Sequence, residues 1–283
     1  SSLCWTGQDQ AGLRQQRYPL GCWIGMAVLG LLLQSVELLL RQHFNQWQAY
    51  QWLERHGARI EVLADGGLAI ELSLRTATLT RMVDQLNQLD NAIYRLDLSS
   101  EPVADIQALS GLPLLRMLDL SYTTVTDLTP LTTLSQLQVL NLRHTAVRNI
   151  APLSDLTSLR ALDLGFTLVT ELKPLLALEH LQVLSLRNIP AINIAPLTAL
   201  RSLRSLDLGY MFVIDIQPLT ALHDLQLLNL AGTAVQDIIA LHSLPGLLYL
   251  YLTDTLAART AQVGQLRQSQ PRLTVYTGIG LAY

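Results

Sequence analysis

The segment Leu118-Asp-Leu-Ser-Tyr-Thr-Thr-Val-Thr-Asp-Leu-Thr-Pro-Leu131 returns along this chain at a fixed interval. Its opening Leu-x-Leu recurs at Leu96, Leu118, Leu140, Leu162, Leu184, Leu206, Leu228 and Leu250, each 22 residues after the last. Within one copy, leucines alternate with polar neighbours, as at Leu140 and Leu142, which is the period of a strand with one buried face. Val147, Ile150 and Leu153 continue the inward set. A single copy cannot bury these side chains by itself. Its apolar face needs the next coil above and below, so the copies must stack. Prolines at 130, 152, 174, 196 and 218 fall at one phase outside the strand, where a missing amide donor does no harm to the ladder, and they mark the return path.

At these residues the chain resembles the internalin-like class of bacterial leucine-rich repeats, over about two-thirds of its length. The resemblance implies an α/β leucine-rich-repeat solenoid with a curved parallel sheet on the concave face and an irregular or 3₁₀ convex side. It implies binding of another macromolecule and no catalysis. One departure stands out. The class usually carries Asn at the turn after the strand, whereas here Thr123, Thr145, Thr167, Thr233 and Thr255 occupy it, and Ile189 and Met211 replace even the threonine. A threonine hydroxyl donates and accepts but reaches less far than an amide, so those two coils are expected to be locally looser.

An open solenoid end exposes a leucine layer and needs a cap. Residues 48–57 read as a helix stopped by Gly57, with Trp52 and Leu53 inward, followed by a short strand near Ile60 to Leu63. Ala69 to Leu74 alternates as a strand, and Thr80 to Leu89 has helical apolar spacing at Met82, Val83, Leu86 and Leu89. At the far end a helix over Ala257 to Gln268, Pro271 as its stop and a last strand at Leu273 to Tyr276 are expected, with a loose tail after Gly278. Leu20 to Leu33 has no polar side chain and the apolar run extends to Leu40, close to the ~20 residues of a spanning helix. Arg14 and Arg17 before it outnumber Arg41 after it, which would leave the repeats on the extracytoplasmic side. The competing reading is a buried capping helix on a soluble cytoplasmic protein. The domain plan is therefore a tail over 1–17, an anchor helix over 18–41, an N-terminal cap with an atypical first coil over 42–90, repeats over 91–255, and a C-terminal cap and tail over 256–283.

Composition bounds the function. Half of the 283 residues are hydrophobic and 14% are charged, and 19 basic against 22 acidic residues give a net charge of −3. Phosphate neutralisation needs a concentrated basic surface, so a nucleic-acid partner is not expected. Lys173 is the sole lysine, the other cations being Arg. Cys4 and Cys22 both precede the repeats and cannot build a disulfide framework or a four-ligand zinc site. The six histidines fall at different phases with no metal-ligand spacing and no paired nucleophile, so no catalytic residue, metal or cofactor is assigned. His144 could approach Asp119 or Asp163 across coils.

Stacking turns equivalent positions into columns. One reads Arg95, Met117, Val139, Ala161, Val183, Ser205, Leu227, Tyr249, mostly apolar; the next reads Asp97, Asp119, Asn141, Asp163, Ser185, Asp207, Asn229, Tyr251, mostly acidic or amide. Arg143 and Arg187 are placed to lean toward Asp on neighbouring coils, giving a charge-compensated ladder or polar contacts to a partner, with calcium bridging the Asp column as a third reading disfavoured because oxygen cages usually converge from a loop. Beyond the second leucine lie Tyr122, His144, Phe166 and Tyr210, flat side chains near Arg, which is the composition of interface hot spots. They bind a partner or merely cover the ladder's edge. Ile189-Pro-Ala-Ile192 and Met211-Phe-Val-Ile214 put Ile192, Phe212 and Ile214 where other coils carry Thr, Arg or Gln, beside Leu168. That surface is a docking patch, unless Ile189 and Met211 turn inward and pull it into hiding. The partner expected is a protein, with subunits of a membrane complex as the alternative.

Overall fold

The computed structural model describes residues 41, 45–74, 78–89 and 92–278. The chain divides into two compact units, 1–51 and 52–283. The apolar run of the expected anchor lies outside the described residues, as does the tail over 279–283. Among the described residues no helix is long and apolar enough to cross a membrane.

In the second unit eleven strands form one sheet in strict sequence order. β1 (Arg59–Val62) pairs antiparallel with β2 (Leu68–Glu71). From β2 onward every neighbour is parallel: β3 (Ile93–Asp97), β4 (Met117–Asp119), β5 (Val139–Asn141), β6 (Ala161–Asp163), β7 (Val183–Ser185), β8 (Ser205–Asp207), β9 (Leu227–Asn229), β10 (Tyr249–Tyr251) and β11 (Thr274–Tyr276). From β3 to β10 the register advances by one repeat per strand, Leu118 against Leu140 and Leu140 against Leu162. A slip by one residue would turn every leucine outward, so burial fixes it.

The coils return through five-residue 3₁₀ segments, from Gln107–Gly111 to Ile239–Ser243, and the five between these two, such as Thr129–Thr133, Ala151–Asp155 and Lys173–Ala177, have proline in the first turn. Proline's fixed φ suits that position and its missing donor was an orphan anyway. The entry is capped by a second periodic side chain. Asp105, Asp127, Asn149, Glu171, Asn193, Asp215 and Asp237 each accept the amide of the residue two positions on. Leu118, Leu120, Val125, Leu128, Leu131 and Leu134 are buried in one coil and their equivalents are buried in the next. The core is thus a stack of leucine layers, and removing one such side chain costs about 2–5 kcal/mol.

Residues 45–55 are helical and form α1, and Gly57 beyond it has φ +93°, the left-handed stop that glycine supplies at low cost. α2 (Leu79–Leu86) starts on the Thr78 hydroxyl and buries Leu79, Met82, Val83 and Leu86. The expected C-terminal helix is shorter and later than its spacing suggests. A 3₁₀ turn (Ala257–Arg259) comes first, then α3 (Gln262–Ser269). Ala257 still follows the repeat's path, its amide bonding Val235 of the coil before. The Gln262 side chain accepts from the Ile238 amide and the Gln270 side chain donates to the Leu241 carbonyl, tying both ends of α3 to the 3₁₀ segment Ile239–Ser243 and its cap. Arg267 donates to the Val275 carbonyl at 2.9 Å, blunting the last strand's edge.

Candidate interaction surface

Where each strand ends, the chain turns through a residue with positive φ: Ser100, Tyr122, His144, Phe166, Asn188, Tyr210, Gly232 and Asp254, one per coil. The turn is imposed from both sides. The side chain three residues earlier folds back on the backbone, with Asp119 accepting from the Ser121 amide, Asn141 from Arg143, Asp163 from Gly165 and Asp207 from Gly209 at 2.7–3.1 Å. The threonine one residue later donates to the carbonyl three residues back, as Thr123 to Leu120 and Thr145 to Leu142. The acidic and amide column is therefore first a set of turn clamps. Ile189 and Met211 lack the hydroxyl, yet both are buried, and their amides reach the Leu186 and Leu208 carbonyls at 3.3 and 3.1 Å. The only local loss at these two coils is one hydrogen bond.

A left-handed backbone is tolerable for Asn and Gly but is disfavoured by about 1–2 kcal/mol for an aromatic residue. Here it aims three rings into one stack. Tyr122 and His144 lie 4.5 Å apart between centroids, and His144 and Phe166 lie 4.3 Å apart, close to parallel. His144 is thus held between two rings, and no hydrogen bond joins it to Asp119 or Asp163 among the described residues.

The two arginines take part through an arrangement that repeats every two coils. Arg143 lies over the Phe166 ring at 4.4 Å and Arg187 over the Tyr210 ring at 4.6 Å. Each passes above a glycine of the next coil. A Cβ on Gly165 would meet Asp163 Oδ1 at 2.9 Å and Arg143 Nη1 at 3.2 Å; one on Gly209 would meet Arg187 Nη1 and Asp207 Oδ1 at 2.9 Å. Arg, Gly and ring form one packing unit. The two arginines differ electrically, because Arg187 pairs with Asp207 at 3.7 Å whereas Arg143 has no ion pair among the described residues. The expected charge-compensated ladder is realised at only one of its two arginines.

The three apolar substitutions lie on the same side of the coils. Ile192, Phe212 and Ile214 are 69, 67 and 58% exposed, although Ile189 and Met211 have turned inward beneath them. Inward packing and an exposed patch coexist, because Ala191 and Val213 fill the core between the exposed positions. Ile192, Phe212, Ile214 and Pro218 line one shallow cavity of about 390 Å³. A neighbouring cavity of the same volume is lined by His144, Phe166, Leu168, Asn188, Ile189 and Pro190, carrying the surface back to the ring column. Tyr122, His144, Phe166, Tyr210, Arg143, Arg187, Ile192, Phe212 and Ile214 therefore belong to one rim of consecutive coils. Sequence reasoning misses Asn188 and the two glycines. The signal for each was present as a break in its column, Asn188 among rings and glycine alternating with arginine.

Among the described residues no group of three or more His, Cys, Asp or Glu could hold a metal ion.

No family model and no curated protein matches the sequence. Solved structures do. An internalin of Listeria monocytogenes superposes with a TM-score of 0.64 over 73% of this chain and 58% of its own length, at 22% identity. A leucine-rich-repeat protein of Leptospira interrogans gives 0.60 over 72% of this chain and 59% of its own, at 20% identity. Both likenesses are of fold, and this chain spans about three fifths of each of those proteins. Internalin C2 of Listeria monocytogenes is 30% identical, with a TM-score of 0.60 over 71% of this chain and 84% of its own length. With its 22-residue repeat, its parallel ladder and that degree of identity, the chain belongs to the internalin-like family of bacterial leucine-rich-repeat proteins.

Proposed function

We propose that this protein is a non-catalytic recognition module that binds a protein partner through the rim described above. The observation that carries the reading is the patch of Ile192, Phe212 and Ile214, each more than half exposed on neighbouring coils. Contiguous apolar surface on a soluble face marks a docking site, and the adjoining rings and arginines are the residue types that dominate interface energies. Solenoids offer extended surfaces of this kind. The apolar run over 20–33 supports attachment to a membrane through residues 18–41, with the repeats on the extracytoplasmic side.

The test is crosslinking in native membranes from a photoreactive residue at position 192, in the parent and in a Phe212→Asp/Ile214→Asp variant. A discrete crosslinked protein that disappears in the variant supports the reading. An unchanged crosslink pattern overturns it. A permanently docked subunit of a membrane complex is favoured by the same patch, because three unshielded apolar side chains suit a surface that is always covered. Co-purification in detergent at fixed stoichiometry selects that alternative, and exchange of the partner on dilution selects the transient one.

A further inference from the structure

The ring stack stops one place short. Tyr122, His144 and Phe166 occupy consecutive coils, Tyr210 resumes the column two coils later, and Asn188 stands in the gap. The packing unit built on Arg143 is repeated around it. Arg187 lies over Tyr210 as Arg143 lies over Phe166, and Gly209 admits Arg187 as Gly165 admits Arg143. In the first unit the residue after the arginine is His144, whose ring also lies on Phe166. In the second it is Asn188, exposed, with no ring contact and no side-chain hydrogen bond among the described residues. Phe166 and Tyr210 are separated by two strand spacings of about 4.8 Å, which is the room one stacked ring needs on each face. A cavity of about 390 Å³ borders that place, lined by His144, Phe166 and Asn188 with Leu168 and Pro190 as its apolar walls.

The charge of the site is equally defined. Arg143 sits over the Phe166 ring, 4.4 Å from its centroid, with Nη1 close above Gly165, so its guanidinium is packed in place without a carboxylate partner among the described residues. A guanidinium with fixed orientation and free donors is built to take a carboxylate in two parallel hydrogen bonds.

Resting on the rim reading above, we infer that the partner presents an aromatic side chain next to an acidic one, the ring entering the Asn188 gap against Phe166 and the carboxylate meeting Arg143. The partner's ring completes the stack that His144 completes from within one unit earlier. Asn188 offers its amide to the ring's polar edge, which favours Trp or Tyr over Phe. Leu168 and Pro190 exclude water from the slot and join it to the Ile192/Phe212/Ile214 patch.

The probe is a fluorescein-labelled peptide, Gly-Ser-Asp-Trp-Leu-Ser-Gly with capped ends, titrated against the full chain by fluorescence anisotropy at low salt. Saturable binding is expected, weakened at least about tenfold when the peptide's Trp becomes Ala, as for a central interface anchor. Asn188→Phe fills the gap with the protein's own ring and weakens binding at least about tenfold, whereas Asn188→Ala leaves the gap open and changes it less than about threefold. The left-handed backbone at 188 already carries Tyr, His and Phe in other coils, so the Phe variant has a conformation to adopt. Arg143→Ala weakens the Asp peptide and has no further effect on a peptide with Ala in place of Asp. Absence of saturable binding, equal binding by Asn188→Phe, or an Arg143 effect independent of the peptide's Asp overturns the inference. If the peptide fails while Phe212→Asp/Ile214→Asp still abolishes the membrane crosslink, the clamp is wrong and the rim reading stands.

Discussion

Replacing Thr145 with valine tests what keeps the turns of this solenoid closed. Thr145 is 4% exposed and donates its hydroxyl to the Leu142 carbonyl at 2.7 Å. Valine has nearly the same shape, so the change removes one hydroxyl and leaves a carbonyl in the interior without it. The lost bond is worth about 0.5–1.5 kcal/mol and an unsatisfied buried acceptor about 1–3 kcal/mol, against which the extra methyl contributes about 0.8 kcal/mol of burial. The net expectation is about 1–2 kcal/mol of destabilisation, or a fall in Tm of about 2–8 °C for a domain of this size. Thr233 provides the internal control. There the backbone amide also reaches the carbonyl three residues back, at 3.1 Å, so that carbonyl keeps a donor when the hydroxyl goes. Thr233→Val should therefore lose only the net bond, about 0.5–1 kcal/mol. Both variants are compared by equilibrium urea unfolding with a shared slope, which separates stability from changes in compactness. A Thr145→Val loss below about 0.3 kcal/mol, or a Thr233→Val loss as large as that at 145, refutes the view that the hydroxyl replaces a ladder bond.

Four further outcomes follow from the geometry. Phe212→Asp/Ile214→Asp should leave the unfolding midpoint within about 1 kcal/mol of the parent, since both side chains are mostly exposed, and a larger loss would mean the patch belongs to the core. Gly209→Ala should push Arg187 off Tyr210 and away from Asp207, measurable as a shifted Arg187 Nε resonance, and an unmoved resonance would show that the glycine is not required for the arginine's path. Arg267→Ala frees the Val275 carbonyl on the outer edge of β11 and should increase end-to-end association in sedimentation velocity, whereas a strictly unchanged profile assigns edge protection to α3 alone. The Thr129 hydroxyl, and then the Thr129 amide, hold the Asp127 carboxyl below its ordinary range. Its folded pKa is depressed, so its contribution to stability is present above the unfolded carboxylate value and is lost as pH falls through the folded one. Tm against pH should accordingly fall less steeply below about pH 4 for Asp127→Asn than for the parent.

The solenoid was legible because its signal is repeated: leucine spacing sets register, and proline phase sets the return turn. What single positions do was less legible. The Asp column suggests electrostatics when read as a row of charges, yet in three dimensions each carboxylate turns back on the amide two residues later. A short Asx contact of this kind outcompetes a longer ion pair across coils, because it closes within one residue's reach and needs no second side chain to be ordered. The C-terminal helix begins late for a related reason, since the repeat's own backbone bonds hold Ala257 in the coil path before helical spacing can act. His144 is the clearest case. Sequence proximity in the repeat made an aspartate its natural neighbour, but positive φ turns the ring along the column, where two aromatic faces take it.

The case for the proposed binding rim rests on costs that the fold does not need to bear. Gly232, Ser100 and Asp254 show that the left-handed turn closes with small or polar residues, so the repeat does not require Tyr122, Phe166 or Tyr210 there. The same holds for Ile192 and Ile214, since Thr126, Arg148 and Gln236 serve at equivalent places in other coils, and for Phe212, where Thr124, Ala146 and Ala234 serve. Residues that fit less well than the repeat's alternatives, placed at adjoining positions on the same side of consecutive coils, are what the proposed partner would account for. Asn188 fits this pattern from the opposite direction. It is well suited to its backbone and poorly suited to its column, and it sits where the stack needs one more ring. Leaving that position open makes sense when the missing ring arrives with a partner.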